Sequence, residues 1–191
     1  MDCHIVSDNA FFLKGIQGTL IYPDGELKLV NAAMAKYAFH PHPGDIVVMY
    51  ISDIRLRRNI MRHHFIRECR LMIILKPQCV NSVACKGHFP WVLPWNIRPE
   101  ALSLYIRKAA AWPQHLHDVS LREWLLFLYL DRGGTVSSIS GSTGLKAKYI
   151  YELKRRVQSR FGLRKCNAAD ILLCWDIMAL NPPQENSTMM I

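Results

Sequence analysis

The chain has 191 residues, half of them hydrophobic, and a formal charge of +9 at pH 7, with an isoelectric point near 9.4. That length holds one large or two small domains with a proper core and excludes a disordered chain. The charge favours a polyanionic partner, nucleic acid or an anionic membrane surface, without choosing between them. Six scattered cysteines form no CxxC pair, and the opening MDCHIVSDNAFF lacks the basic start and long apolar run of a signal peptide. Reduced thiols in a cytoplasmic protein are therefore expected. No apolar run reaches the roughly 18 residues that a membrane helix requires.

Residues 3–7 (CHIVS) predict a strand, and residues 9–20, with Phe12, Ile16 and Leu20 at near-helical spacing, predict a helix. The turn Tyr22-Pro23-Asp24-Gly25 leads to a modest strand at 26–30 and an Ala/Met helix at 32–39. After a rigid His-Pro-His-Pro-Gly loop (40–44), residues 45–51 (DIVVMYI) are apolar on both faces, as in a buried parallel sheet. Residues 55–70 predict a very basic helix, 71–75 a further buried strand, 89–93 the last strand, and a helix starts near Pro99. This alternation over 1–111 predicts an α/β layered domain. Trp112-Pro113 breaks the last helix, so 112–118 is the expected linker. From 119 to 180 only helical patterns follow, an all-α second domain, and 181–191 is an expected flexible tail.

Two features of the N-terminal half call for explanation. The helix at 55–70 carries Arg55, Arg57, Arg58, Arg62, His63, His64, Arg67 and Arg70. It is a solvated face balanced by acids elsewhere, a phosphate-contacting surface, a patch for an acidic partner, or a site for an anionic nucleotide. The pairs His40/His42, His63/His64 and His115/His117, with Cys79 and Cys85, lack the close ligand spacing of a structural zinc site, so no metal and no cofactor is expected. GxSxG, HExxH, P-loop and paired-carboxylate patterns are likewise missing from the sequence, and no enzymatic activity is expected.

In the C-terminal half, residues 148–160 place Ile150, Leu153 and Val157 on one helical face, with Phe161 continuing the stripe. The opposite face presents Tyr151, Glu152, Arg155 and Ser159. Lys146, Lys148, Lys154, Arg156, Arg160, Arg164 and Lys165 flank it. A helix of that shape suits a DNA major groove, with long donors reaching base edges from the middle and phosphates from the sides. A solvated basic helix, or one lying on a membrane, gives the same charge run.

Residues 119 to about 175 resemble, without a gap, the helix-turn-helix domain of LuxR-type regulators, also called the NarL/FixJ type. The family's Arg-Glu opening and following apolar residues match Arg122-Glu123, Leu126 and Phe127; its glycine matches Gly133; its isoleucine and next small residue match Ile139 and Ser140. Its Ile-Ser and Thr-Val pairs become Leu145-Lys146 and Tyr149-Ile150, and its Ile-x-x-Lys-Leu-Gly-Val becomes Val157-x-x-Arg160-Phe161-Gly162-Leu163. Departures are Val136-Ser137-Ser138 for Asn-Lys-Glu, Leu153 for a histidine, and Lys146 to Tyr149 for Ser-x-x-Thr.

The resemblance implies double-stranded promoter DNA as partner, with Tyr151, Glu152 and Arg155 as base-reading residues. It also implies that helix 168–180, with Ile171, Leu172, Trp175 and Met178, pairs two DNA-binding domains; deeper burial against the N-terminal half is the alternative use of that apolar surface. The N-terminal order of elements resembles a response-regulator receiver. Ser7-Asp8 stand where two metal-holding acids belong, Tyr50 where the phosphorylated aspartate belongs, and Leu93-Pro94 where a lysine belongs. A receiver so altered implies a switch not worked by phosphate. The whole is similar to enterobacterial auxiliary regulators of the RcsA and BglJ kind, which implies homodimers or heterodimers with another response regulator and control of capsule, fimbriae or other surface structures. Against it stands a protein- or nucleotide-interaction module that no longer reads DNA.

Overall fold

The computed structural model describes residues 1–34, 39–80, 87–164 and 168–183. Five parallel strands, β1 (Cys3–Ser7), β2 (Leu27–Asn31), β3 (Ile46–Tyr50), β4 (Arg70–Leu75) and β5 (Trp91–Pro94), form one sheet in the order β2-β1-β3-β4-β5. This is a doubly wound order, reversing between β1 and β3. β1, β3 and β4 are buried on both faces, and their Val/Ile/Met-rich runs show it in the sequence.

Helices cover both faces. On one side α1 (Ala10–Ile16) and α3 (Pro99–Ala111) place Ile16, Leu102, Ile106 and Ala109 on Ile5, Val48, Met72 and Trp91. Asn9 caps α1 by accepting the Phe12 N–H, and the helix ends at Gln17, shorter than the 9–20 expected. Pro99 starts α3 in the first turn, where a missing N–H costs nothing. On the other side lies α2 (Ile54–Met61), whose N-cap Asp53 accepts from Arg55 and Leu56.

Two expected helices differ. Residues 55–70 hold α2, a 3-10 turn at His64–Glu68 that buries Ile66, and then Arg70 at the start of β4. The chain must double back to run β4 parallel to β3, so one long helix does not fit. Residues 32–39 begin with a 3-10 turn, Ala32–Met34; residues 35–38 lie outside the described residues, as do Cys85, Cys166 and most of the expected tail.

Among the described residues the C-terminal half holds four helices: α4 (Leu121–Asp131), α5 (Val136–Thr143), α6 (Ala147–Arg160) and α7 (Ala168–Met178). One cluster of buried apolar side chains runs from the sheet face (Val47, Met49, Ile73) through α2 (Ile60, Met61) into Phe127, Val157 and Cys174. The helix pair α2 and α7 meets across this boundary. Arg58 of α2 pins the junction: its Nη2 donates to Asp131 Oδ1 at 2.7 Å and its Nε to Asp176 Oδ1 at 3.0 Å. Two of the arginines in the basic segment are thus used internally, Arg58 in these pairs and Arg57 in the interior at 6% exposure. Among the described residues, no helix is long and apolar enough to cross a membrane.

Candidate nucleic-acid interface

Helices α5 and α6 are joined by the three residues Gly144-Leu145-Lys146. Thr135 caps α5 by accepting the Ser138 N–H at 3.1 Å, and Ser138 Oγ accepts the Thr135 N–H at 2.9 Å. Thr135 and Ser138 thus form a reciprocal capping box. Gly144 ends α5 with φ +69°, a left-handed conformation that a side chain disfavours, and Gly133 does the same after α4 with φ +85°. Ser140 Oγ donates to Leu145 O at 2.7 Å and so ties the turn together.

The wheel of α6 reads as expected. Ile150, Leu153, Val157 and Phe161 are buried. Tyr151, Glu152, Arg155 and Ser159 are exposed on the opposite face, Tyr151 at 58%. Lys146, Lys148, Arg156 and Arg164 are exposed at the flanks, and Lys154 Nζ lies 5.7 Å from the Tyr151 ring centroid. Lys146, at the N-cap of α6, makes no side-chain capping bond, so the first N–H groups of α6 face outward beside two lysines. A helix N-terminus so placed favours an anion.

Two of the expected site residues also make contacts within the chain. Arg160 is exposed, but its Nη2 donates to Glu123 Oε2 at 3.0 Å and its guanidinium lies 5.5 Å from the Phe161 ring. Burial works to raise the Glu123 carboxyl, but the Ser120 N–H and Arg160 outweigh it and hold it below the usual range. Met178 of the expected pairing face is fully buried, packed within the chain. Ile171, Leu172 and Trp175 are half-buried, with Trp175 tilted against Trp124 at 4.4 Å. The apolar surface of α7 packs mainly on α4 within the C-terminal half and to a lesser extent on α2 of the N-terminal half. Large exposed apolar residues sit instead on α4, at Leu121, Leu125 and Tyr129. Lys165 lies outside the described residues.

The receiver-like corner has the wiring of a structural site. Asp8 Oδ2 accepts the N–H groups of Ser52 and Asp53, both at 2.9 Å, and Asp53 is spent on capping α2. Tyr50 ends β3 and packs its ring on Phe12 at 4.5 Å, while Pro94 ends β5 opposite Leu75. No carboxylate stands at the end of β3.

The opposite end of the sheet holds a group that sequence reasoning missed: Asp2, His4 and Asp45 lie close enough to share an ion. Their ligand atoms are already committed. Asp45 accepts from the N–H groups of Asp2 and His42 and pairs with His4 Nε2 at 3.2 Å, and Lys28 donates to Asp2 at 2.7 Å. This is a buried hydrogen-bonded strut joining β1 to the loop before β3. The only sequence signal was the acid that opens the apolar run at Asp45.

No protein-family model matches the chain. No curated protein matches it either. Among solved structures it is similar to RcsB in two dimers bound to two parallel DNAs, with 14% identity, 92% of this chain and 98% of that chain covered, and a TM-score of 0.47. It is similar to RcsB from Salmonella enterica serovar Typhimurium bound to promoter rprA in the presence of phosphomimetic BeF3−, with 14% identity, 95% and 98% coverage, and a TM-score of 0.46. Response regulator ChrA of a haem-sensing two-component system matches with 12% identity, 94% and 98% coverage, and a TM-score of 0.36.

Proposed function

We propose that this chain is a bacterial transcription regulator that binds duplex promoter DNA with α6 in the major groove. One observation carries the reading. The apolar face of α6 is fully used by the fold, while Tyr151, Glu152 and Arg155 stand unburied at its centre between flanking cations. Arg155 is the donor for a guanine edge and Glu152 the acceptor for a cytosine amine. Lys146, Lys148, Lys154, Arg156 and Arg164, with the bare N-terminus of α6, are the phosphate contacts.

Control by receiver phosphorylation is not part of this reading. Tyr50 offers no carboxylate to form an acyl phosphate, and Asp8 and Asp53 hold backbone N–H groups. Pairing, with a second copy or another response regulator, would use what α7 leaves open, Ile171, Leu172 and Trp175, beside the exposed stripe on α4. Genes for surface structures are the proposed targets, on the strength of the sequence resemblance alone.

The test is titration with duplex genomic fragments over a range of salt, with and without a partner regulator. A DNA binder loses affinity steeply as salt rises, with a slope set by the phosphates contacted. Failure to shift any fragment at low salt would instead favour an interaction module that no longer reads DNA.

A further inference from the structure

Arginine 57 is the anomaly of the interior. It lies one turn into α2 and is 6% exposed, yet among the described residues its Nε and Nη2 have no hydrogen-bond partner. Those two N–H groups form the side-on edge of the guanidinium, the fork that meets a carboxylate or phosphate with two parallel bonds. Its neighbour Arg58 uses the same edge on Asp131 and Asp176. An unmet buried donor costs about 1–3 kcal/mol, more when charged, so an empty fork is not a neutral choice.

The residue lines a cavity of about 370 Å³. It is lined by Tyr50 and Leu75, at the carboxyl ends of β3 and β4, by Lys76 and Cys79, and by Asp170 and Leu173 of α7. The carboxyl ends of the strands are where doubly wound sheets bind ligands. The volume is at the lower end of small-molecule pockets. The charged residues that line it are Arg57, Lys76 and Asp170, two cations and one carboxylate. Asp170 and Asp176 act on Arg57 electrostatically; Asp176 Oδ1 is held by Arg58, its Oδ2 has no hydrogen-bond partner among the described residues, and Asp131 is also held by Arg58.

We propose that this cavity binds a small organic acid, its carboxylate on the Nε/Nη2 edge of Arg57 and beside Lys76, its apolar body against Leu75 and Leu173. The occupant would touch the sheet and α7 at once. The site is independent of DNA binding by α6, and its test does not use DNA.

The full chain is titrated with hexanoate and benzoate, and with phenyl phosphate and inorganic phosphate for comparison, by calorimetry and thermal shift. Peptide-resolved alkylation of Cys79 reports occupancy at the cavity rim. Hexanoate or benzoate should saturate, raise the melting temperature and slow Cys79 alkylation. Arg57→Lys, which keeps the charge and removes the fork, should weaken binding about tenfold or more. Lys76→Gln, at an exposed position, should weaken it a few-fold, and it serves as the comparison if Arg57→Lys does not fold. The proposal is overturned if no carboxylate saturates, if affinity is unchanged in the folded variants, or if Cys79 stays equally reactive. Preference for phenyl phosphate or inorganic phosphate would overturn the carboxylate assignment.

Discussion

Under the proposed function, Arg155 is the side chain on which base reading by α6 would depend most. It is exposed and central, and no ion pair among the described residues engages it. Arg155→Ala should cost on the order of 1–3 kcal/mol at a matched site and relax preference at one base pair, while leaving the fold intact. Competition titrations against a base-substituted site measure this, and unchanged affinity and preference would remove Arg155 from the reading set. A second residue-scale effect concerns His117. Burial, then His88 and Arg160, depress its imidazole to about 4 from the 6.5 of an unfolded chain. The folded state therefore binds fewer protons between those values, and the stability this preserves above pH 6.5 is lost as pH falls toward 4. Asp176 acts in the opposite sense, since burial raises its carboxyl from 3.8 to about 6 against the pull of Arg58 and Arg57. Comparing wild type with His117→Phe isolates the histidine. The urea-unfolding free energy of wild type should fall relative to the variant between pH 7 and 5, and parallel profiles would refute it.

At the scale of elements, α6 is a helix whose two faces do different jobs, and its variants should separate accordingly. Ile150→Ala empties a 1% exposed core position and should cost about 3 kcal/mol of stability. Lys148→Ala and Arg156→Ala, on exposed flanks, should leave stability unchanged and each reduce the slope of affinity against salt by about 1. A melting-point loss in the flank variants equal to that of Ile150→Ala would show that the flanks are structural. This division was legible in the sequence because a 3.6-residue period sorts α6 without any tertiary information: Ile150, Leu153, Val157 and Phe161 inward, Tyr151, Glu152 and Arg155 outward. Periodicity does not say where an outward-pointing chain will bend. Arg160 sits on a flank by spacing, and only the position of Glu123 on another helix draws its guanidinium into an ion pair.

For the whole molecule, the strand and helix order was readable because β1, β3 and β4 are apolar on both faces, which only a covered parallel sheet explains. The junction was not readable. Arg58 meets Asp131 and Asp176 across 73 and 118 residues of sequence, and no local pattern encodes such a pairing. The same blindness left the role of the basic segment 55–70 open, when Arg57 is buried and Arg58 is half-buried in ion pairs. Arg58→Ala, which strands the buried Asp176 carboxylate and the half-buried Asp131 carboxylate, should destabilise the chain by about 3 kcal/mol, measured by denaturant unfolding. An acyl-phosphate donor should add no mass, since the end of β3 carries Tyr50; a stable gain of one phosphoryl group would contradict the receiver reading. The most direct test of the central claim is duplex-DNA affinity as a function of salt, wild type beside Arg155→Ala. A specific DNA reader predicts a logarithmic slope of several units in both proteins and loss of site preference only in the variant. Absence of binding at low salt, or identical site preference in the two proteins, would contradict it.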